Sequence, residues 1–104
     1  ARSYVTDGCF LYRTSGGKLL MIWSSFGKDG YAVGVSESVT GKVTGPWRHH
    51  PKPLFSRNGG HGMLFRDFDG GLNIVMHAPN SPGGAERAVI LPLEERDDML
   101  YVKE

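Results

Sequence analysis

Two polar side chains stand at the start of strand-like segments, and glycines flank both of them. Asp7 lies in the segment Thr6-Asp7-Gly8-Cys9-Phe10-Leu11-Tyr12, and His61 lies in Gly59-Gly60-His61-Gly62-Met63-Leu64-Phe65. A carboxyl group can donate or accept a proton, and an imidazole can hydrogen-bond a ligand. The glycines allow other backbone to approach closely. We therefore predict that both side chains point into one central site, which a larger protein completes.

Glycine- and proline-rich turns separate short apolar segments along the chain. The 104 residues include 15 Gly and 6 Pro, which favours many tight turns over long helices. The predicted strands are residues 10–14, 18–24, 31–36, 46–49, 63–66, 72–77, 86–93 and 99–102. The segment 18–24 is almost continuously apolar, which is typical of a strand buried on both faces.

The first half of the chain is repeated in the second half at an offset of 53 positions. The matching pairs are Leu11 and Leu64, Arg13 and Arg66, Gly17 and Gly70, Leu19 and Leu72, and Met21 and Ile74. A repeat of about 50 residues built from short strands indicates β-propeller blades. We predict an all-β fold of two four-stranded antiparallel blades, residues 1–50 and 57–104, in an incomplete ring. The alternative is two unrelated antiparallel sheets with similar hairpins.

The composition excludes several classes of partner. Lys and Arg number 12 and Asp and Glu number 11, so no strong field attracts nucleic acid or an anionic membrane. No apolar run approaches the roughly 18 residues of a membrane span. The chain begins at Ala1, inside a strand-like stretch, so we expect a piece of a longer protein. A bacterial cytoplasmic, periplasmic or secreted location is left open.

Two blades do not close a ring, because propellers have about four to eight. Each blade normally covers its faces with its neighbours, so two sheet faces are expected to be uncovered here. Exposed apolar faces favour association. We therefore expect the chain to self-associate.

Five segments carry a resemblance to a known family. They are residues 6–12 (TDGCFLY), 17–26 (GKLLMIWSSF), 31–34 (YAVG), 45–47 (GPW) and 60–62 (GHG). In order and spacing they resemble the later blades of glycoside hydrolase family 43, over nearly the whole chain. That family contains β-xylosidases, α-L-arabinofuranosidases and arabinanases on a five-bladed propeller.

The resemblance implies the C-terminal part of an inverting glycosidase that cleaves terminal xylose or arabinose from plant polysaccharides. The family's general acid, a glutamate followed by Gly-Pro or Ala-Pro, matches Asp7. The match departs from the family pattern in its shorter side chain and in Cys9, which replaces the proline. The alternative is an ordinary Asp-Gly turn residue. The family's other two carboxylates have no counterpart here, so we expect the isolated chain to be inactive, because inversion needs an acid and a base.

The resemblance also implies substrate-binding roles for His61 and Arg87. His61 matches a histidine on the propeller axis that approaches a calcium ion or a water cluster, and Arg87 matches an arginine that reaches the pocket. Calcium prefers oxygen ligands, so we expect no metal in this chain and calcium only at the axis of the full-length enzyme. The alternatives are a hydrogen-bonded histidine beside a turn and an exposed strand-edge charge.

Three further residues have open roles. His77 and Asn80 either line the pocket rim or stabilise the turn after their strand, and Trp23 is predicted to pack between blades. The alternative function for the whole chain is a non-catalytic propeller or β-sheet module that binds carbohydrate or protein. The aspartate in place of glutamate and the missing proline keep that alternative open.

Overall fold

The computed structural model describes residues 7–27, 30–80 and 83–103. Its strands are β1 (Asp7–Arg13), β2 (Leu19–Gly27), β3 (Gly30–Ser38), β4 (Trp47–His49), β5 (Gly60–Arg66), β6 (Leu72–Ala78), β7 (Arg87–Arg96) and β8 (Met99–Val102). They form two four-stranded antiparallel sheets, β1-β2-β3-β4 and β5-β6-β7-β8, which do not close a ring. The predicted all-β fold and its two sheets are confirmed. Within the described ranges no helix is long and apolar enough to cross a membrane.

The repeat is visible in the hairpins that join β1 to β2 and β5 to β6. Arg13 Nη1 donates to the carbonyl oxygen of Gly17 at 2.9 Å, and Arg66 Nη1 donates to that of Gly70 at 3.0 Å. Gly17 and Gly70 have φ angles of 95° and 83°, in the region that favours glycine. The paired residues of the sequence repeat therefore build the same turn twice.

Each sheet also begins with a β-bulge in its first strand, between residues 7 and 10 and between residues 60 and 63. The bulged residues are Gly8, with φ 59°, and His61, with φ 57°. His61 therefore takes the place of Gly8, and Asp7 takes the place of Gly60. The imidazole and the carboxylate therefore occupy neighbouring rather than equivalent positions of the repeat.

Apolar side chains from the facing sides of the two sheets form the core. Its buried members are Leu20, Ile22, Val33, Val35, Leu64, Leu72, Ile74, Met76, Leu93, Met99 and Leu100. Side chains alternate across a strand, so Trp23 lies on the opposite face of the first sheet from Ile22. There it donates Nε1–H to Ser36 Oγ at 2.9 Å and packs against His49. Trp23 is thus outside the core between these two sheets, so packing of Trp23 between blades stays a prediction that needs a further sheet on the outer face.

The connection between the sheets runs along the edge of β3. The N–H of Leu54 donates to the carbonyl oxygen of Val33 at 2.8 Å, and the N–H of Gly59 donates to that of Tyr31 at 2.9 Å. These bonds extend the backbone pairing of β3 beyond the short β4. They deliver the first residues of β5 to the side of Tyr31.

Glu95 of β7 joins the sheets at the other end of β1. The hydroxyl of Tyr12 donates to Glu95 Oε1, and the hydroxyl of Ser15 donates to Oε2 at 2.7 Å. Arg66 Nη2 donates to the Tyr12 oxygen at 3.2 Å. Burial raises the pKa of Glu95, but the hydrogen bonds from Tyr12 and Ser15 outweigh burial, so the pKa lies below its ordinary value.

The substitution Glu95→Gln should lower the free energy of unfolding at pH 7 by about 1.5–2 kcal/mol, the lower part of the range for a hydrogen bond to a charged group, because Glu95 is only half-buried. Because the pKa of Glu95 is lower in the folded state, its contribution is present above the unfolded pKa of about 4.3 and is lost as the pH falls through the folded value. Urea denaturation at pH 7 and at about pH 2.5 should show the difference from the parent chain only at pH 7. Glu94→Gln, whose carboxylate lies 3.7 Å from Arg96 Nε on the exposed surface, is the control. An equal loss at both pH values would contradict the assignment.

Candidate functional site

Asp7 begins β1 at an exposed end of the first sheet, opposite Ser24 of β2. Tyr31, at the start of β3, donates its phenolic O–H to Asp7 Oδ1 across the intervening strand. Burial, together with the hydrogen bond to the Asp7 carboxylate and its negative charge, raises the pKa of Tyr31 to about 12. The phenol therefore stays protonated at neutral pH and remains a hydrogen-bond donor to Asp7.

Ser24 connects this pair to the second sheet. Its side chain is fully buried, and its Oγ accepts the backbone N–H of His61 at 2.7 Å. The Ser24 hydroxyl also opposes the rise in the pKa of Tyr31. The buried Ser24 hydroxyl thus joins the backbone of β5 to the sheet that carries Tyr31 and Asp7.

Two glycines make this approach possible. A Cβ on Gly60 would lie 2.8 Å from Tyr31 Cε2 and 3.0 Å from Ser24 Oγ. A Cβ on Gly8 would lie 3.1 Å from both Cα and Cγ of His61. The backbone of β1 therefore lies directly against the His61 side chain. Gly8 of β1 and Gly60 of β5 thus have the role that the sequence predicts, because each lets a neighbouring residue of the other sheet approach closely.

The Tyr31 ring is held between aromatic neighbours from both sheets. The His77 ring stacks on it with centroids 5.5 Å apart at 20°, and the Phe26 ring is tilted against it at 5.1 Å. His77 Nε2 lies 2.7 Å from Asn80 Oδ1. Since the amide oxygen only accepts, Nε2 carries the His77 proton. His77 and Asn80 therefore bind each other, and His77 also supports the Tyr31 ring.

Arg87 begins β7 beside Ala78, at the same end of the second sheet as Gly60 and His77. Its side chain is exposed, and Nη1 donates to the carbonyl oxygen of Glu86 at 3.4 Å. The described hydrogen bonds thus join Asp7 to Tyr31 and the backbone of His61 to Ser24, whereas Arg87 bonds its neighbour in the chain. A substrate contact by Arg87 or by the exposed His61 side chain stays a prediction.

The described residues do not fit a calcium site. Among residues 7–27, 30–80 and 83–103, no group of three His, Cys, Asp or Glu side chains is placed to hold a metal ion. Calcium takes about six to eight oxygen ligands, whereas His61 offers nitrogen. Calcium at the axis of a longer enzyme is therefore a proposal that needs oxygen ligands from other parts of that enzyme.

Sequence analysis missed Tyr31 and Ser24 as members of the site. One signal was present. β1 and β3 are both antiparallel to β2, so they run in the same direction and begin at the same end of the sheet. A tyrosine at the start of β3 is therefore close to a carboxylate at the start of β1.

Solved structures of carbohydrate-active enzymes share this fold. An endo-arabinase from Bacteroides thetaiotaomicron VPI-5482 is 48% identical, with a TM-score of 0.82, over 89% of this chain and 33% of that one. A thermostable family-43 glycoside hydrolase is 27% identical, with a TM-score of 0.80, over 95% of this chain and 35% of that one. The resemblance to glycoside hydrolase family 43 is confirmed. An endo-1,4-β-xylanase from B. thetaiotaomicron VPI-5482 also shares the fold. It is 23% identical, with a TM-score of 0.80, over 96% of this chain and 38% of that one.

This chain spans about a third of the length of these family-43 relatives and other solved neighbours. No protein-family model matches it, and no curated protein matches it. The similarity therefore identifies two sheets of the family-43 fold.

The substitution Gly60→Ala should lower the free energy of unfolding by about 1–3 kcal/mol, because the new methyl group would overlap Tyr31 and Ser24. It should also move the NMR signals of the Tyr31 and His77 rings. Gly83→Ala is the control, since a Cβ there meets no atom within 4 Å. The control should change stability by no more than about 0.5 kcal/mol. Equal stabilities of the two variants in urea denaturation would contradict the close approach of β5.

Proposed function

We propose that this chain contributes the general acid, Asp7, to a longer inverting glycoside hydrolase that cleaves terminal xylose or arabinose residues from plant polysaccharides. The observation that supports this most directly is the exposed Asp7 carboxylate, which Tyr31 holds. Asp7 also lies opposite Ser24, whose hydroxyl binds the backbone of the neighbouring sheet. The 48% identity to an endo-arabinase makes an arabinose-containing polymer the first substrate to test.

In this proposal the carboxyl group of Asp7 protonates the oxygen that leaves the sugar. As the glycosidic C–O bond breaks, a second carboxylate removes a proton from a water molecule, which adds to the opposite face of the ring. The two carboxyl groups of inverting enzymes lie about 6.5–9.5 Å apart. The family resemblance finds no counterpart of the second carboxylate in this chain, so we place it elsewhere in the longer protein.

His61 and Arg87 are proposed to bind the sugar. His61 has an exposed side chain on a backbone fixed by its hydrogen bond to Ser24, so its imidazole can meet a ligand without reorganising. Arg87 is exposed at the same end of the second sheet and carries five donors for sugar hydroxyl groups. Neither residue is assigned a proton-transfer step.

A non-catalytic binding module is the second candidate. The observation that favours it is the short aspartate side chain, which reaches less far than the family's glutamate and already accepts a hydrogen bond from Tyr31. Such a module would bind oligosaccharides and would never hydrolyse them in the longer protein. Hydrolysis therefore separates the two functions.

In the longer protein, Asp7→Asn should lower kcat for an arabinan or xylan substrate by about 10²- to 10⁴-fold, the usual contribution of a general acid. The loss should be smaller for nitrophenyl glycosides, because nitrophenolate leaves without being protonated. Asp69→Asn is the control, since Asp69 lies in the exposed turn after β5 and asparagine also suits an Asp-Gly turn. Full activity of Asp7→Asn would contradict the assignment of Asp7 as the general acid. Hydrolysis by the present chain alone would contradict its expected inactivity.

We also propose that the present chain self-associates through its outer sheet faces. Met63, Val75 and Ile90 lie side by side on the outer face of the second sheet, and Met63 and Ile90 are 56% and 57% exposed. Apolar residues in adjacent strands form a continuous surface that favours contact with a second copy. Light scattering should therefore show an oligomer.

The substitution Ile90→Lys should shift that oligomer toward the monomer, because it places a charge in the middle of the outer face. Phe68→Lys is the matched control, since Phe68 is fully exposed in the turn after β5, away from the face. It should leave the molar mass unchanged. A parent chain that is monomeric at every concentration would contradict self-association.

A further inference from the structure

We infer that Tyr31 is a positioning residue for Asp7. Its hydroxyl holds Oδ1, so that Oδ2 is the oxygen that carries the proton toward the leaving group. The role of Asp7 as an acid rests on the proposed function. The contact between the two side chains is a property of this chain and can be tested without it.

The direction of the hydrogen bond follows from the chemistry of its two partners. An ionised carboxylate only accepts, so the phenolic O–H of Tyr31 must be the donor. Its one proton is therefore directed at Asp7 Oδ1. An oxygen that accepts this proton is the poorer place for a second one. A protonated Asp7 therefore carries its proton on Oδ2.

The Tyr31 ring is fixed well enough to act as a support. It is 4% exposed, it is stacked against His77, and Gly60 lies so close that a methyl group there would overlap the ring. Aspartate has one fewer rotatable bond than glutamate, so a single hydrogen bond orients its carboxyl group. A fixed phenol compensates in this way for the departure of Asp7 from the family's glutamate.

The contact also suits the charge that develops during proton transfer. When Oδ2 gives its proton to the glycosidic oxygen, the electron pair of that O–H bond stays on Asp7 as a carboxylate. A hydrogen bond from Tyr31 strengthens as that negative charge grows, so it stabilises the transition state more than the ground state. Among the residues that the structure describes, the titratable side chains beside this contact are His61 on β5 and His77 on β6.

The first test is Tyr31→Phe in the present chain, which keeps the ring and removes the hydroxyl. The three-bond Hα–Hβ couplings of Asp7 should indicate one rotamer in the parent chain and averaged rotamers in the variant. Tyr12→Phe is the matched control, since it removes another tyrosine-to-carboxylate bond, at the opposite end of β1. The control should leave the Asp7 couplings unchanged. Couplings that also stay unchanged in Tyr31→Phe overturn the inference.

The second test measures the same contact through the titration of the Tyr31 hydroxyl and does not depend on the folding of Tyr31→Phe. In the parent chain, the ring-carbon NMR signal of Tyr31 should titrate near the pKa of about 12. In Asp7→Asn that midpoint should fall by about one unit, the size of one hydrogen bond to a charged group. Glu95→Gln should move the midpoint of Tyr12 instead. A Tyr31 midpoint unaffected by Asp7→Asn overturns the inference.

In the longer protein, Tyr31→Phe should lower kcat by about tenfold with little change in KM, as expected for a bond that strengthens in the transition state. If Asp7→Asn does not impair hydrolysis there, the proposed function is wrong, while altered Asp7 couplings in Tyr31→Phe still support the hold on Asp7. If hydrolysis needs Asp7 but Tyr31→Phe leaves kcat unchanged, the proposed function stands and the positioning role is wrong.

Discussion

The close approach of β5 to the first sheet is the constraint on which the candidate site depends. The backbone N–H of His61 reaches the buried Ser24 hydroxyl at 2.7 Å, and this contact requires Gly60 to have no side chain. A buried hydroxyl that loses its partner costs about 1–3 kcal/mol, so this hydrogen bond stabilises the position of one sheet against the other. Tyr31 lies at that junction, beside Gly60, and its hydroxyl donates a hydrogen bond to Asp7. The placement of the carboxylate is therefore a consequence of packing between sheets rather than of the local turn.

A tyrosine-to-carboxylate bond lies at each end of β1, and the two differ in a way that separates structure from function. Glu95 is hydrogen-bonded at both oxygens, by Tyr12 at Oε1 and by Ser15 at Oε2, and it joins the sheets. Asp7 is exposed, and Tyr31 reaches it at Oδ1. A carboxylate with both oxygens engaged inside the protein is suited to stability. One that is held by a tyrosine and open to solvent is suited to meeting a ligand.

The sequence was sufficient for the strands and the repeat because both are local. The glycine turns and the apolar runs between them place all eight described strands to within a few residues, and Arg13 and Arg66 do build the same turn.

The sequence was insufficient for features that depend on which face of a sheet a residue occupies or on strand register. A nearly continuous apolar run cannot tell which of its residues faces the neighbouring sheet, so the outward face of Trp23 was not evident. The bulge that gives His61 the position of Gly8 in the repeat cannot be recognised from the spacing of the apolar residues. Tyr31 reaches Asp7 across a strand, which only the assembled sheet reveals.

The geometry of inversion explains why a pair of sheets would not be sufficient for the proposed chemistry. The acid and the base must act on opposite faces of one sugar ring, with room for water between the base and the ring. In this chain Asp7 and His61 lie at the starts of first strands that contact each other, so in the proposed chemistry both would approach the sugar from the same side. A base on the far side must come from a strand that faces them across the site. The uncovered outer faces, with Trp23 on one sheet and Ile90 on the other, are the surfaces against which further sheets would pack. Closing the ring would therefore bury those surfaces and bring the second carboxylate opposite Asp7 in the same step.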